Sequence, residues 1–335
     1  MAVLKAARWL AVSAALAAMP VGNASAADGP PLVLETKIPL AKTGGRIDHM
    51  AVDLKRGRLF VAELGNGSVD VIDIAGRRVV SRITWLNDPQ GVGYTPQADL
   101  LVVASAGDGS VRFYRGDDLA PAGALSLGDD ADNVRVDPHS GAVVVGYGNG
   151  GLAVIDPATR NKVADIHLPA HPEGFQLDHA SGRAFVNVPD ANQVAVVDVK
   201  AGRIIATWHA PGMRGNFPMT MSQADHLVAT VFRNPAKLVL LDSRSGAVTA
   251  SFDACGDADD VFFDGRRGRI YVSCGSGVVD AWQHDETSYR PLPHTKTDGG
   301  ARTSLFVPEL DRLFVAARAG LLGSDASILV FRPAP

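Results

Sequence analysis

Met50-Ala-Val-Asp53, a turn, Arg58-Leu-Phe-Val-Ala62, then Gly65-Asn-Gly-Ser68 and Val69-Asp-Val-Ile-Asp73 form a unit that the chain repeats. It returns as Arg135-Val-Asp137, Ala142-Val-Val-Val-Gly146 and Leu152-Ala-Val-Ile-Asp156. A third copy is Gln176-Leu-Asp178, Arg183-Ala-Phe-Val-Asn187 and Val194-Ala-Val-Val-Asp198. With Asp53 as marker, the equivalent positions are Thr95, Asp137, Asp178, Ser222, Asp264 and Pro308, spaced 42, 42, 41, 44, 42 and 44 residues apart. Each copy reads as four short strands bounded by Gly, Asn, Asp or Pro; in the first copy these are 46–53, 58–63, 68–73 and 77–84. A period near 42 with four strands per copy, and no sustained 3.6-residue apolar period, predicts propeller blades rather than a helical solenoid.

The expected fold is therefore all-β: a seven-bladed β-propeller with four antiparallel strands per blade. The seventh copy ends at Ile328 to Phe331 without a fourth strand, while an unassigned strand, Leu32 to Ile38, precedes the first copy. The N-terminal strand is expected to become the outer strand of the last blade, closing the ring and leaving no free edge.

The unit, x-V-D-P-x-x-G-R-L-F-V-A-x-x-G-x-G-S-V-x-V-I-D in outline, resembles the YVTN-type β-propeller repeat. The chain is similar to the secreted YncE-like proteins built from it, over residues 32–332. Copy two departs from the pattern at Tyr94-Thr95-Pro96 and ends in Phe113-Tyr114; copy seven carries a longer loop from Ala317 to Ser327. Such propellers serve many roles, so the resemblance implies an architecture and little chemistry.

Composition agrees with a globular chain. The 335 residues are 46% hydrophobic and 20% charged, and 35 Gly with 20 Pro supply its many turns. Lys5 and Arg8, an apolar run from Trp9 to Met19, and Ala24-Ser25-Ala26 follow the order of a secretory signal peptide cleaved after Ala26. That run is far shorter than the roughly 20 residues of a membrane span, so no membrane anchor is expected. The expected organisation is a signal peptide over 1–26 and a single propeller domain over 27–335, periplasmic or secreted, and monomeric. Removing the leader takes two of 32 Lys and Arg, leaving 30 against 36 Asp and Glu. This acidic chain without a basic run does not suit duplex nucleic acid. Single-stranded DNA, a role reported among YncE-like proteins, is disfavoured for want of a basic, aromatic groove.

The two cysteines, Cys255 and Cys274, lack the C-x-x-C-H pattern of haem attachment and the partners of a zinc site. Export favours a disulfide between them, with two buried thiols as the alternative. A hairpin of 261–264 with 269–273 sets Cys274 roughly opposite Asp259.

Innermost strands line a propeller's channel, and the loops leading into them open on one face. Five residues before each marker stand Asp48, Gln90, Asp132, Glu173, Phe217, Asp259 and Thr303. The next position adds His49, Asn133 and Asp260. Asp48, Asp132, Glu173 and Asp259 are the candidate ligands for a divalent cation, Ca²⁺ or another, since hard ions take carboxylate and amide oxygens. Lactonase-like propellers hold a catalytic ion in this manner, but none of their motifs stands here. The competing reading is that these residues cap turns and hydrate a wide channel. Further candidates on the same face are Glu63, Tyr147, Asn149, His171, Asn187 and Arg233. Arg46, Arg302 and Arg318, near the ring closure, would meet an anionic ligand group or simply form surface ion pairs. His139 and His179 fall in turns of the opposite face.

No G-x-S-x-G elbow, P-loop, dinucleotide fingerprint or H-E-x-x-H helix is present, and the four Trp form no periodic quinone-docking motif. Two functions remain: a non-enzymatic binding or scaffold propeller for a protein or small ligand, and a divalent-metal hydrolase of lactones or esters.

Overall fold

The computed structural model describes residues 29–41, 43–320 and 325–335; the expected signal peptide lies outside them. Seven sheets follow one another along the chain, each an antiparallel meander from channel to rim. Blade 1 comprises Met50–Asp53, Arg58–Glu63, Ser68–Asp73 and Arg78–Ile83, within a few residues of the four predicted strands. In blade 6 the rim strand is broken into Tyr289–Pro291 and Thr295–Lys296, both paired with Val278–His284.

Ring closure follows the expectation. Leu32–Pro39 pairs antiparallel with Ser327–Pro333, running from Leu32 opposite Pro333 to Pro39 opposite Ser327. The last blade thus takes three strands from the chain's end and one from its beginning.

Middle strands carry apolar residues at consecutive positions because a blade is covered on both faces by its neighbours. Leu59, Phe60, Val61 and Ala62 are all fully buried. One hydrophobic cluster fills each interface between blades. That between blades 7 and 1 holds Ile38, Leu59, Ile72, Phe314 and Ile328. Fully burying such a side chain contributes about 1.5–3 kcal/mol.

The recurrent aspartates are explained by local hydrogen bonding. Asp53, Asp137 and Asp264 end inner strands and accept backbone N–H bonds from Arg56, His139 and Arg266 in the following turns. Asp73, Asp156, Asp198 and Asp242 do the same after third strands. An Asp carboxylate satisfies a tight turn's free N–H groups, which is why the repeat keeps it there. Neighbouring turns are also latched together: Arg56 reaches Asp99 at 2.8 and 2.6 Å, and Arg267 reaches Asp311 at 2.6 and 2.9 Å.

Strand register corrects one marker. Asp53 pairs with Arg58, and the matching pair in blade 7 is Val307 with Arg312. Val307, rather than Pro308, is the equivalent of Asp53, so the seventh position of the channel-mouth ring belongs to Arg302 and not to Thr303.

Cys255 and Cys274 form a disulfide with Cα atoms 5.9 Å apart. Cys274 faces Ala258 rather than Asp259, because the strand bulges between Ala258 and Asp260. The bridge ties the loop leaving blade 5 to the second strand of blade 6. Cross-linking a loop of this size is worth about 3 kcal/mol. Replacing both cysteines by alanine should lower the urea midpoint accordingly; an unchanged midpoint would remove any stabilising role.

Candidate functional site

Four of the seven inner strands are bulged where they reach the loop face. Register shifts fall between Pro89 and Val92, Ala131 and Val134, Asn216 and Met219, and Ala258 and Asp260. A bulge re-aims side chains. In these four blades it changes the direction of the ring residues, while the inner pairs of blades 1, 4 and 7 show no register shift. Glycine permits the close approach of successive blades there: a Cβ on Gly91 would strike the Asp132 carbonyl, and one on Gly174 would lie 2.6 Å from that of Phe217.

A cavity of about 30 Å³, room for a water or two, opens among Asp48, His49, Asp132, Asn133, Glu173 and Asp259. Asp260 and Phe217 also line it; Gln90 and Thr303 do not. Most of the residues expected at the mouth therefore converge, but they divide into two groups.

On the side of blades 5 to 7 the charges are already paired. Asp259 lies between Arg233, 2.7 Å away, and Arg302, 3.0 Å away, and Arg302 also reaches Asp257 at 2.8 Å. The Arg233 guanidinium in turn stacks 3.8 Å above the Phe217 ring. Asp259, expected to ligate a metal, is thus engaged on both oxygens.

On the side of blades 1, 3 and 4, hydrogen-bond acceptors outnumber donors. Arg46 sits 2.7 Å from Asp48. Asp132 lies between two imidazoles, 3.8 Å from His49 and 3.8 Å from His171, too far for a hydrogen bond. His171 donates from Nδ1 to the Gly148 carbonyl at 2.7 Å, so its Nε2 faces Asp132. Among the described residues, the buried oxygens Asp132 Oδ1 and Asn133 Oδ1 receive no hydrogen bond, whereas Asp48 Oδ2 is met by the Arg46 guanidinium. Buried acceptors without donors are rare in folded proteins. Glu173 also has no side-chain partner among the described residues.

This crowding separates the acidities. Burial, reinforced by Asp132 and Asp259, pushes Asp48 up to about 6. Burial, with the same two neighbours, pushes Glu173 up to about 8. Burial raises Asp260 to about 7. Burial also opposes ionisation of Asp132, but His171, His49 and Arg46 more than offset it and hold that carboxyl below its ordinary value. For His171, burial opposes the charge while Asp132, the Gly148 carbonyl and Asp130 raise it to about 9. Adjacent carboxyls driven apart in this way are characteristic of functional sites.

Among the described residues, no three His, Cys, Asp or Glu side chains are close enough to form a ready metal cluster. Asp48, Asp132 and Glu173, with the Asn133 amide, remain as the oxygens facing the cavity.

Other candidates have structural duties. Glu63 is buried and accepts from Thr43 and Ser68, each at 2.6 Å. Asn187 is buried and donates to the Phe217 and Pro218 carbonyls, shaping the mouth from behind. Tyr147 and Asn149 lie outside the cavity, where Tyr147 donates to Asp165 at 2.8 Å. Arg318 is exposed and does not line it. His139 and His179 stack on each other in far-face turns, ring centres 4.0 Å apart.

Sequence reasoning did not single out Arg135 as a site residue. It follows Asn133 by two positions on the same inner strand, and that alternation was the available signal. Its guanidinium enters the channel, donating from Nε to the Phe175 carbonyl at 3.1 Å and from Nη1 to the Val134 carbonyl at 2.9 Å. Burial pulls its pKa down.

No protein-family model matches the chain, and no curated protein matches it by sequence. Among solved structures, the chain is similar to Kuenenia stuttgartiensis hydrazine synthase, with a TM-score of 0.76, 14% identity, and coverage of 90% of this chain and 99% of that one. It is similar also to a chain in the crystal structure of the mitotic checkpoint complex, with a TM-score of 0.79, 14% identity, and coverage of 97% and 99%. At such identity only the fold carries over: the chain is a seven-bladed β-propeller.

Proposed function

We propose that this chain is an exported binding propeller whose channel mouth captures a compact cation. That cation is the protonated amine of a small ligand or protein segment, or a divalent ion such as Ca²⁺. The carrying observation is the pair of buried oxygens, Asp132 Oδ1 and Asn133 Oδ1, that receive no hydrogen bond among the described residues and line one small cavity. A cation or ammonium supplies what those oxygens lack. The YncE-like character of the repeat and the leader-like residues 1–26 support a periplasmic or secreted setting, as does the disulfide. Among the described residues, no helix is long and apolar enough to cross a membrane.

Chelator-treated protein should melt at a higher temperature with either methylammonium or one of Ca²⁺, Mg²⁺, Mn²⁺ and Zn²⁺, and the two arms identify the kind of cation. Asp132→Asn should weaken that response by about tenfold, the scale of one charged hydrogen bond, whereas far-face His139→Ala should leave it intact. No response in either arm overturns the reading.

A divalent-metal hydrolase of lactones or esters is the second reading. It is favoured by the Glu173 carboxyl, which burial and Asp132 push up to about 8 and so suit to proton transfer. An ion that binds without any lactone or ester turnover rejects it.

A further inference from the structure

Below the mouth the channel widens into a second cavity of about 300 Å³, the lower end of the size range for small-molecule sites. His49, Arg135, Met219 and Asp260 line both cavities and form the partition between them. Beyond it the walls are mixed, with polar groups beside an apolar patch of Val52, Tyr94, Val136, Phe262 and Leu305.

Two opposite charges face this chamber without meeting. Arg135, from blade 3, makes no ion pair within 4.0 Å among the described residues. Its only hydrogen bonds are to two backbone carbonyls, which leaves Nη2 without an acceptor. Asp260, from blade 6, accepts the Ser304 N–H on Oδ2 at 2.7 Å, and its Oδ1 receives no donor among the described residues. Each acts electrostatically on the other without contact, and His49 is the larger charge acting on Asp260. Charged groups removed from bulk water are normally paired. Here no ion pair closes between the two, and both line the chamber.

We infer that the chamber binds a zwitterionic small molecule of the α-amino acid class. Its carboxylate meets the free edge of Arg135, its ammonium meets Asp260, and an apolar side chain lies against Val52, Phe262 and Leu305. A guanidinium edge suits a carboxylate, and a single carboxyl oxygen suits an ammonium. A simple anion would leave Asp260 unmatched, and a simple cation would leave Arg135 unmatched. The chamber shares Arg135 and Asp260 with the lining of the mouth, but this assignment does not rest on a cation being bound there.

The test is calorimetric titration of the full chain with L-leucine, 4-methyl-2-oxopentanoate, which lacks the ammonium, and isopentylamine, which lacks the carboxylate. Leucine is expected to bind at least about tenfold more tightly than either analogue, because each analogue forgoes one charge-assisted hydrogen bond of that strength or more. Arg135→Gln and Asp260→Asn should each weaken leucine by about tenfold or more, with Arg135→Lys in between and His139→Ala without effect. Matching far-ultraviolet circular dichroism and melting curves establish that the variants fold; should Arg135→Gln not fold, Arg135→Lys and the analogue series carry the test. Equal affinity for leucine and the keto acid, no binding of leucine at millimolar concentration, or folded variants that bind normally would each overturn the assignment.

Discussion

Deleting Leu32–Pro39 should destabilise all seven blades together, in one transition moved at least about 10 °C lower. Leu32 and Ile38 are each 1% exposed and sit in the clusters on either side of the last blade. At about 1.5–3 kcal/mol each, these two side chains alone approach the 5–15 kcal/mol by which a whole domain is stable. Deletion also strips the backbone partners from Ser327–Pro333 and leaves an open strand edge. Because each blade packs on two others, the loss spreads around the ring. Ile38→Ala is the graded version and should cost about 2–5 kcal/mol. Calorimetry decides: a small early transition with the main one unmoved would show that the first strand is an appendage and not the closure.

Arg82→Ala should be the most damaging single charge substitution, at about 3–5 kcal/mol, because it abandons buried carboxylates. Arg82 donates to both oxygens of Asp70, at 2.5 and 2.8 Å, and to Thr43 at 3.0 Å, and stands 3.6 Å from Glu63. Asp70 and Glu63 are fully buried. Burial raises the Glu63 pKa even so. Adding Asp70→Asn to Arg82→Ala should recover part of the loss, since a neutral amide is less costly to bury than an unpaired charge. Urea unfolding of the two single variants and the double variant gives the coupling. Additive losses would mean that Arg82 acts through packing alone.

The architecture was legible because its physical causes are local. An Asp that caps a turn, a Gly at the bend and a run of apolar residues in a doubly covered strand recur wherever a blade is built, so a constant spacing exposes them. Where the local signal weakened, position slipped. Pro308 resembles a marker in the sequence, yet the pairing of Val307 with Arg312 moves the seventh blade by one residue. The mouth was legible only as a set of polar residues at equivalent positions. Which carboxylates are neutralised depends on arginines from other repeats: Arg233 and Arg302 converge on Asp259, whereas Asp132 meets two imidazoles instead. Nothing in the spacing distinguishes these cases. Arg135 escaped notice for a related reason, since an arginine on a strand ordinarily faces solvent, and only the closed ring turns this one inward.

The closure has a further consequence for the order of events during synthesis. Glu35 and Arg312 form an ion pair across 277 residues of chain. The first strand to be made therefore waits, unpaired, until the last one is delivered. Contacts this distant in sequence form slowly, and uncapped strand edges invite pairing with other chains meanwhile. The ring cannot be finished piecemeal as it emerges; it closes only after the stretch ending at Pro333 has arrived. The interval before that moment is when this protein is most exposed to aggregation and most dependent on being held apart from its neighbours.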